Sequence, residues 1–148
     1  MTVPTPSPRR VIVLGATGTI GRVLVAELVR RGADVVCLVR AAVELPGATV
    51  RVVDVADPAS LARDGFVGQR SDVLVSCMAS RTGGPADAWA VDYRAQLNAL
   101  EAAQAAGVEH FILLSAICVQ KPRLAFQHAK LKVEAALVAS GMRYSIVR

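Results

Sequence analysis

No apolar run in this sequence approaches the roughly 18 residues that a membrane-spanning helix needs. The first ten residues contain three prolines and two arginines, and they lack the apolar segment of a secretion signal. We therefore expect a cytoplasmic protein with a flexible leader over residues 1–9 and one folded domain over residues 10–148.

Cysteine and histidine are scarce, with three and two residues in a chain of 148. The cysteines, Cys37, Cys77 and Cys118, are widely spaced, which is neither a disulfide framework nor a metal-binding pattern. The two histidines stand apart and complete no set of metal ligands. We therefore expect no metal site, and we expect all three cysteines to be small buried residues in a reducing compartment.

Aromatic residues make up only 4% of the chain, although its formal net charge is +5. Proteins that bind nucleic acid usually cluster their basic residues on one face, often with aromatic residues between them. Here the lysines and arginines are scattered, and an anionic cofactor or substrate explains the charge equally well. No nucleic-acid partner is predicted, and nothing in the sequence indicates an oligomeric state.

The chain does contain a regular alternation of short β-branched runs and helical patterns. The runs predict strands at Val11–Leu14, Asp34–Val39, Thr49–Val53, Asp72–Cys77, His110–Leu114 and Tyr144–Arg148. Helices are predicted at Thr19–Arg31, near Ala59–Arg63, at Asp87–Ala106 and at Arg123–Ser140, with a loop at Ala41–Ala48. This alternation predicts an α/β fold, a doubly wound parallel sheet of Rossmann type with strand order 3-2-1-4-5-6. Because the sixth strand is the last element, we expect a truncated domain that lacks its substrate-binding part.

The most informative stretch follows the first predicted strand and has glycine at positions 15, 18 and 21. A strand, a glycine turn and a helix form the arrangement in which a loop holds the pyrophosphate of a dinucleotide. Gly15 permits the tight turn, Gly18 leaves room for the pyrophosphate at the helix N-terminus, and Gly21 allows close packing of helix and strand. The predicted cofactor-binding residues of this loop are Gly15, Thr17, Gly18, Thr19, Ile20 and Gly21.

The residues that follow the second and third predicted strands indicate how the dinucleotide is bound. Arg40 lies 19 positions after Gly21, where NAD-selective sites usually place an acidic residue on the ribose 2′-hydroxyl. A guanidinium there pairs with a 2′-phosphate instead, which predicts NADPH as the cofactor. Asp54 ends the third strand, where it either borders the adenine or caps a local turn with Asp57.

The second half of the chain supplies the candidates for catalysis. Phe126 and Lys130 share a helical face where reductases of this fold commonly carry Tyr-x-x-x-Lys. Phenylalanine donates no proton, which disfavours ordinary carbonyl–alcohol chemistry, and Lys130 either binds ribose hydroxyls or is an exposed helix lysine. Ser115 ends the fifth strand and is a candidate for contact with substrate or cofactor, although no Gly-x-Ser-x-Gly turn of a serine hydrolase surrounds it.

Several stretches resemble one group of enzymes. The glycine loop resembles that of the atypical and extended short-chain dehydrogenase/reductases. More specific similarity, to the NADPH-dependent divinyl chlorophyllide 8-vinyl reductases, lies in residues 72–81, 92–93, 110–122, 126–132 and 144–148. In that family phenylalanine replaces the usual tyrosine at the position of Phe126.

The resemblance implies that NADPH reduces the C8 vinyl group of a divinyl tetrapyrrole to an ethyl group in chlorophyll biosynthesis. Lys130 and Ser115 are then the candidate catalytic residues, and the proton donor is water, Tyr93 or a residue outside this chain. Members of the family continue beyond the position of Arg148 with a substrate-binding portion. The alternative is an NmrA-like protein that binds NADP as a sensor or assembly module without catalysing a reaction.

Overall fold

The computed structural model describes residues 9–148, in which six strands form one parallel sheet. The strands are β1 (Arg10–Leu14), β2 (Asp34–Val39), β3 (Thr49–Val52), β4 (Val73–Ser76), β5 (His110–Leu114) and β6 (Arg143–Val147). Their order is β3-β2-β1-β4-β5-β6, so the predicted fold class and strand order are confirmed. The predicted leader lies outside the described residues except for Arg9, whose carbonyl accepts a hydrogen bond from the N–H of Asp34 at 3.0 Å.

Burial follows the position of each strand in the sheet. The residues of β1, β2 and β4 are almost all buried, because these strands lie inside a sheet that is covered on both faces. Their continuous β-branched and apolar runs suit that position. The edge strands β3 and β6 are only partly buried.

Four helical elements connect the strands. Helix α1 is Thr19–Arg30, and α2 starts with a turn at Pro58–Ser60 and continues as a π-helix at Leu61–Phe66. Helix α3 joins three segments (Pro85–Asp87, the π-helical Ala88–Ala95 and Gln96–Ala105), and α4 is Ala125–Ala139. Apolar residues of α1 pack on one face of the sheet, and those of α2, α3 and α4 pack on the other. Within residues 9–148 no helix is long and apolar enough to cross a membrane.

Helix α3 buries small and polar residues rather than its aromatic ones. Its buried positions are Ala88, Asp92, Ala95, Gln96, Asn98, Ala99, Leu100 and Ala103. Trp89 is 40% exposed, and its ring meets the edge of Tyr93 at 5.6 Å between centroids. A π-helical segment has more residues per turn than an α-helix, so α-helical spacing does not show which residues of α3 face the sheet.

The three cysteines differ in burial. Cys37 is fully buried in β2, and burial raises the pKa of its thiol to about 11. Cys77 is half-buried at the end of β4. Cys118 is exposed, so the prediction that all three are buried is wrong for this residue. It lies beyond the end of β5 in a turn with φ of 64°, where the chain has left the sheet.

The glycine loop between β1 and α1 brings three backbone segments into close contact. A Cβ atom on Gly15, which has φ of 73°, would lie 2.5 Å from the carbonyl carbon of Cys77 at the end of β4. A Cβ atom on Gly21 would lie 2.0 Å from the carbonyl oxygen of Gly15. On Gly18, by contrast, the nearest atom to a Cβ would be 3.6 Å away. Gly15 and Gly21 are therefore required by packing, whereas Gly18 has room for a Cβ atom in ordinary van der Waals contact.

We predict that Gly21→Ala lowers the free energy of unfolding by about 3 kcal/mol, because the added methyl group has no room against rigid backbone. Gly18→Ala is the matched control and should change it by no more than about 1 kcal/mol, since its methyl group makes ordinary contacts. Urea denaturation of the three proteins measures both differences. Equal stability of the two variants would contradict the assigned packing roles.

Candidate functional site

A cleft of about 470 Å³ opens at the carboxyl ends of β1, β4 and β5. Its walls come from the start of α1, from the segments that follow β4 and β5, and from α3 and α4. The cleft lies where β1 and β4 are neighbours and the chain changes its direction across the sheet. In open α/β sheets this is the place where ligands bind.

The N-terminus of α1 forms one end of this cleft. The N–H groups of Thr19 and Ile20 have no hydrogen-bond partner within residues 9–148, and Gly18 at the N-cap provides no side chain to cap them. Residues 17–20 are exposed, and Gly18 has no side chain that would cover these N–H groups. Free N–H groups and the positive end of the helix dipole favour a bound anion such as a pyrophosphate.

Arg40 follows β2 directly, next to the carboxyl end of β1. Its side chain is exposed and forms no hydrogen bond or ion pair with any residue from 9 to 148. A carboxyl group nearby, that of Asp87, has a lowered pKa, chiefly because the N–H and hydroxyl of Thr82 donate to it and in smaller part because of Arg40. The guanidinium is therefore free to bind a phosphate.

Asp54 takes part in a local turn after β3. Its Oδ1 accepts a hydrogen bond from the N–H of Ala56 at 2.9 Å, and its carbonyl accepts one from the N–H of Asp57 at 3.1 Å. Asp57 in turn caps α2, since its Oδ1 accepts the N–H of Ala59. These contacts support the interpretation that Asp54 caps a local turn. A contact between Asp54 and the adenine stays a prediction.

Lys130 is a buried residue, so the alternative of an exposed helix lysine is wrong. Its side chain is 7% exposed, and its Nζ lies 3.3 Å from Oδ1 of Asp92. The same Nζ donates to the carbonyl of Met78 at 3.3 Å and to that of Leu114 at 3.5 Å. The ammonium group therefore ties α4 to α3 and to the ends of β4 and β5. A buried charge is stable only with such partners.

Asp92 is the site residue that sequence reasoning did not assign. It is 1% exposed and borders the cleft. Its Oδ1 also accepts the N–H of Ser80 at 3.2 Å, whereas its buried Oδ2 has no hydrogen-bond partner among the described residues. No signal in the sequence identifies it, because the segment around Asp92 is π-helical and α-helical spacing does not place it on the buried face.

Ser115 lies in the cleft wall, and its hydroxyl donates to Oε1 of Glu134 at 2.5 Å. The guanidinium of Arg148 contacts the other carboxylate oxygen at 2.6 Å. Burial raises the pKa of the Glu134 carboxyl, but the hydrogen bonds from Arg148 and Ser115 outweigh it and lower the pKa overall. The Ser115 proton is thus committed to a carboxylate, and its oxygen is left to accept a hydrogen bond from a ligand.

Two aromatic candidates take different places. Phe126 borders the cleft one helical turn before Lys130, where it adds apolar surface and no proton donor. Tyr93 lies outside the cleft, with Nζ of Lys132 4.6 Å from its ring centroid. It is therefore not positioned to give a proton to a ligand there.

Together these features fit a dinucleotide. The free N–H groups of α1 suit its pyrophosphate, and the missing side chain of the exposed Gly18 lets that group approach the backbone. The unpartnered oxygen of Asp92 and the free guanidinium of Arg40 offer one acceptor and one cation for its polar groups.

Several known proteins are similar to this chain over nearly its whole length, which includes the cleft. The divinyl chlorophyllide a 8-vinyl-reductase of rice (Oryza sativa subsp. indica), a chloroplastic protein by its name, is 47% identical over 161 aligned residues. The match covers 97% of this chain and 40% of the rice protein, so the resemblance noted in the sequence is confirmed. The photosystem II assembly factor Ycf39 of Cyanophora paradoxa is 32% identical over 93% of this chain and 44% of that protein. The chain thus spans well under half the length of these relatives.

The fold has counterparts among solved structures. A crystal structure of UDP-galactose 4-epimerase superimposes with a TM-score of 0.83 at 26% identity, covering 94% of this chain and 55% of the epimerase. The model of a family described as NAD(P)H-binding matches residues 15–148, which include the glycine loop, Arg40 and every residue of the cleft. Since this match covers nearly all of the sequence, the chain belongs to the NAD(P)H-binding family.

Proposed function

We propose that this chain is the NADPH-binding part of a reductase that converts the C8 vinyl group of divinyl chlorophyllide to an ethyl group. The observation that carries the proposal is the pairing of Phe126 with Lys130 in one cleft, in a chain 47% identical to a reductase of that name. The lysine of the common reductase motif is present, and the tyrosine that would protonate an alkoxide is replaced.

The replacement suits a carbon–carbon double bond. When bound, reduced nicotinamide supplies a hydride to one carbon of the vinyl group, and a proton at the other carbon completes the ethyl group. A vinyl group conjugated to a macrocycle spreads the added charge over the ring and forms no alkoxide, so no phenol is needed beside it. In this cleft Phe126 and Met78 supply apolar surface, which favours a flat aromatic ring over water.

We assign the parts of the chain accordingly. Residues 10–148 form the cofactor-binding domain, with the glycine loop at the pyrophosphate and Arg40 at the 2′-phosphate of NADPH. Lys130 and Ser115 lie on the side of the cleft where the nicotinamide is expected. The substrate-binding part is supplied by the portion of the reductases that this chain does not span.

A second candidate function is that of a non-catalytic assembly module. The similarity to the photosystem II assembly factor of Cyanophora paradoxa favours it. So does Phe126, which stands in the cleft where reductases of this fold commonly carry a tyrosine that donates a proton. In this interpretation NADP is held by the same loop and no reduction follows.

The choice of cofactor is tested by Arg40→Glu. We expect the Kd for NADPH to rise at least about tenfold, because a charge-assisted pair with the 2′-phosphate is replaced by repulsion, while the Kd for NADH changes little. Fluorescence titration of both cofactors measures this. Arg143→Glu makes the same change of charge at the amino end of β6 and should leave both values unchanged. Equal losses for NADPH and NADH would refute the assigned role of Arg40.

The reaction is tested by grafting residues 10–148 in place of the matching segment of the rice reductase. We expect the chimera, given NADPH and divinyl chlorophyllide, to shift the Soret band of the pigment to the monovinyl position. The matched control carries the corresponding segment of the Cyanophora assembly factor and should not do so. A folded chimera that binds NADPH and leaves the pigment spectrum unchanged would favour the assembly module.

A further inference from the structure

We infer that Asp92 binds the cofactor directly: its free oxygen, Oδ2, accepts a hydrogen bond from a hydroxyl of the ribose on the nicotinamide side. The inference rests on dinucleotide binding and not on the substrate proposed above. It therefore holds or fails whether the protein reduces a vinyl group or only binds NADP.

The two oxygens of the Asp92 carboxylate differ in their contacts. Asp92 is 1% exposed; its Oδ1 accepts the N–H of Ser80 at 3.2 Å and forms an ion pair with Nζ of Lys130. Its Oδ2 is buried without a partner among residues 9–148. Leaving a buried carboxylate oxygen without a donor is costly, so the site calls for an O–H or N–H from a molecule in the cleft.

Lys130 also has a polar group that is not yet bonded. An ammonium group has three N–H bonds and no acceptor. Nζ of Lys130 donates to the carbonyls of Met78 and Leu114, and its contact with Oδ1 of Asp92 at 3.3 Å is an ion pair. One N–H of Lys130 is therefore without a hydrogen bond among residues 9–148, beside the unpartnered oxygen of Asp92.

The positions of the glycine loop and of Arg40 indicate which half of the dinucleotide lies beside Asp92. The glycine loop at the end of β1 takes the pyrophosphate at the middle of the molecule. Arg40 follows β2, on one side of that point, and Asp92 borders the segments after β4 and β5 on the other. With the 2′-phosphate of the adenosine at Arg40, the opposite side receives the nicotinamide ribose.

The chemistry of the pair also matches a sugar. A ribose carries two adjacent hydroxyls, each able to donate and to accept. Asp92 only accepts and Lys130 only donates, and Oδ1 of Asp92 lies 3.3 Å from Nζ of Lys130. One hydroxyl can thus donate to Oδ2 of Asp92 while its neighbour accepts the remaining N–H of Lys130.

The test compares NADPH with adenosine 2′,5′-bisphosphate, which has the 2′-phosphate and lacks the nicotinamide ribose. For Asp92→Asn we expect the Kd for NADPH to rise about five- to twentyfold, the size of a lost charge-assisted hydrogen bond. The Kd for the bisphosphate should stay within about twofold, because that probe makes no contact with Asp92. Glu101→Gln, an exposed position on α3, is the matched control and should change neither value. Isothermal titration measures all six constants.

An unchanged Kd for NADPH, or an equal rise for both probes, would overturn the inference, since the second result marks a purely structural role. If Asp92→Asn does not fold, the unmodified chain is titrated with two NADPH analogues, each with fluorine in place of one hydroxyl of the nicotinamide ribose. Fluorine removes the donated proton and accepts hydrogen bonds only weakly, so each analogue loses the contact that its hydroxyl made with Asp92 or with Lys130. A loss of about fivefold or more with each analogue supports one hydroxyl on Asp92 and its neighbour on Lys130, and a loss with one analogue alone, or with neither, overturns the inference.

Discussion

The close approach of three backbone segments at the glycine loop is the constraint on which the cleft depends. Gly15 lies against the end of β4 and Gly21 against the carbonyl of Gly15, at separations that leave no room for a Cβ atom. This contact sets the N-terminus of α1 directly over the gap between β1 and β4. The start of α1, through Ile20, and the buried polar residues Asp92 of α3 and Lys130 of α4 consequently border one cleft. With a wider loop the same side chains would be spread along the edge of the sheet.

Helix α4, which forms part of the cleft wall, carries two buried charged residues. Lys130 and Glu134 lie one turn apart, both buried, and each has an ionic partner on another element. Glu134 is satisfied on both oxygens by Arg148 and Ser115, which joins the end of β6 to the end of β5. The pair of Lys130 and Asp92 is different, because one carboxylate oxygen is left without a donor. A buried ion pair contributes little to stability unless all its polar atoms have hydrogen-bond partners. Because Oδ2 of Asp92 has none among the described residues, the pair of Lys130 and Asp92 indicates a role in binding rather than in stability.

The fold by itself is compatible with several functions. Its relatives include a vinyl reductase and a photosystem II assembly factor, and an epimerase has a similar structure. What separates the functions is the chemistry around the shared cofactor cleft rather than the sheet that carries it. Here that chemistry includes a phenylalanine in place of the tyrosine acid and a serine whose proton is held by Glu134. Both features suit a reaction that forms no alkoxide.

The sequence by itself determined the sheet order, the glycine loop and the position of Arg40. These depend on local features, namely the period of apolar residues, the turn-forming glycines and the spacing along two neighbouring strands. Only the tertiary structure decided that Lys130 is buried, that Cys118 is exposed and that Asp92, beside the cleft, has a buried oxygen without a partner among the described residues. Lys130 contacts a carbonyl 52 residues away, and no local pattern records such a pairing. A polar residue on a helix looks the same in sequence whether it faces water or a cleft, and the packing of the elements alone tells the two apart.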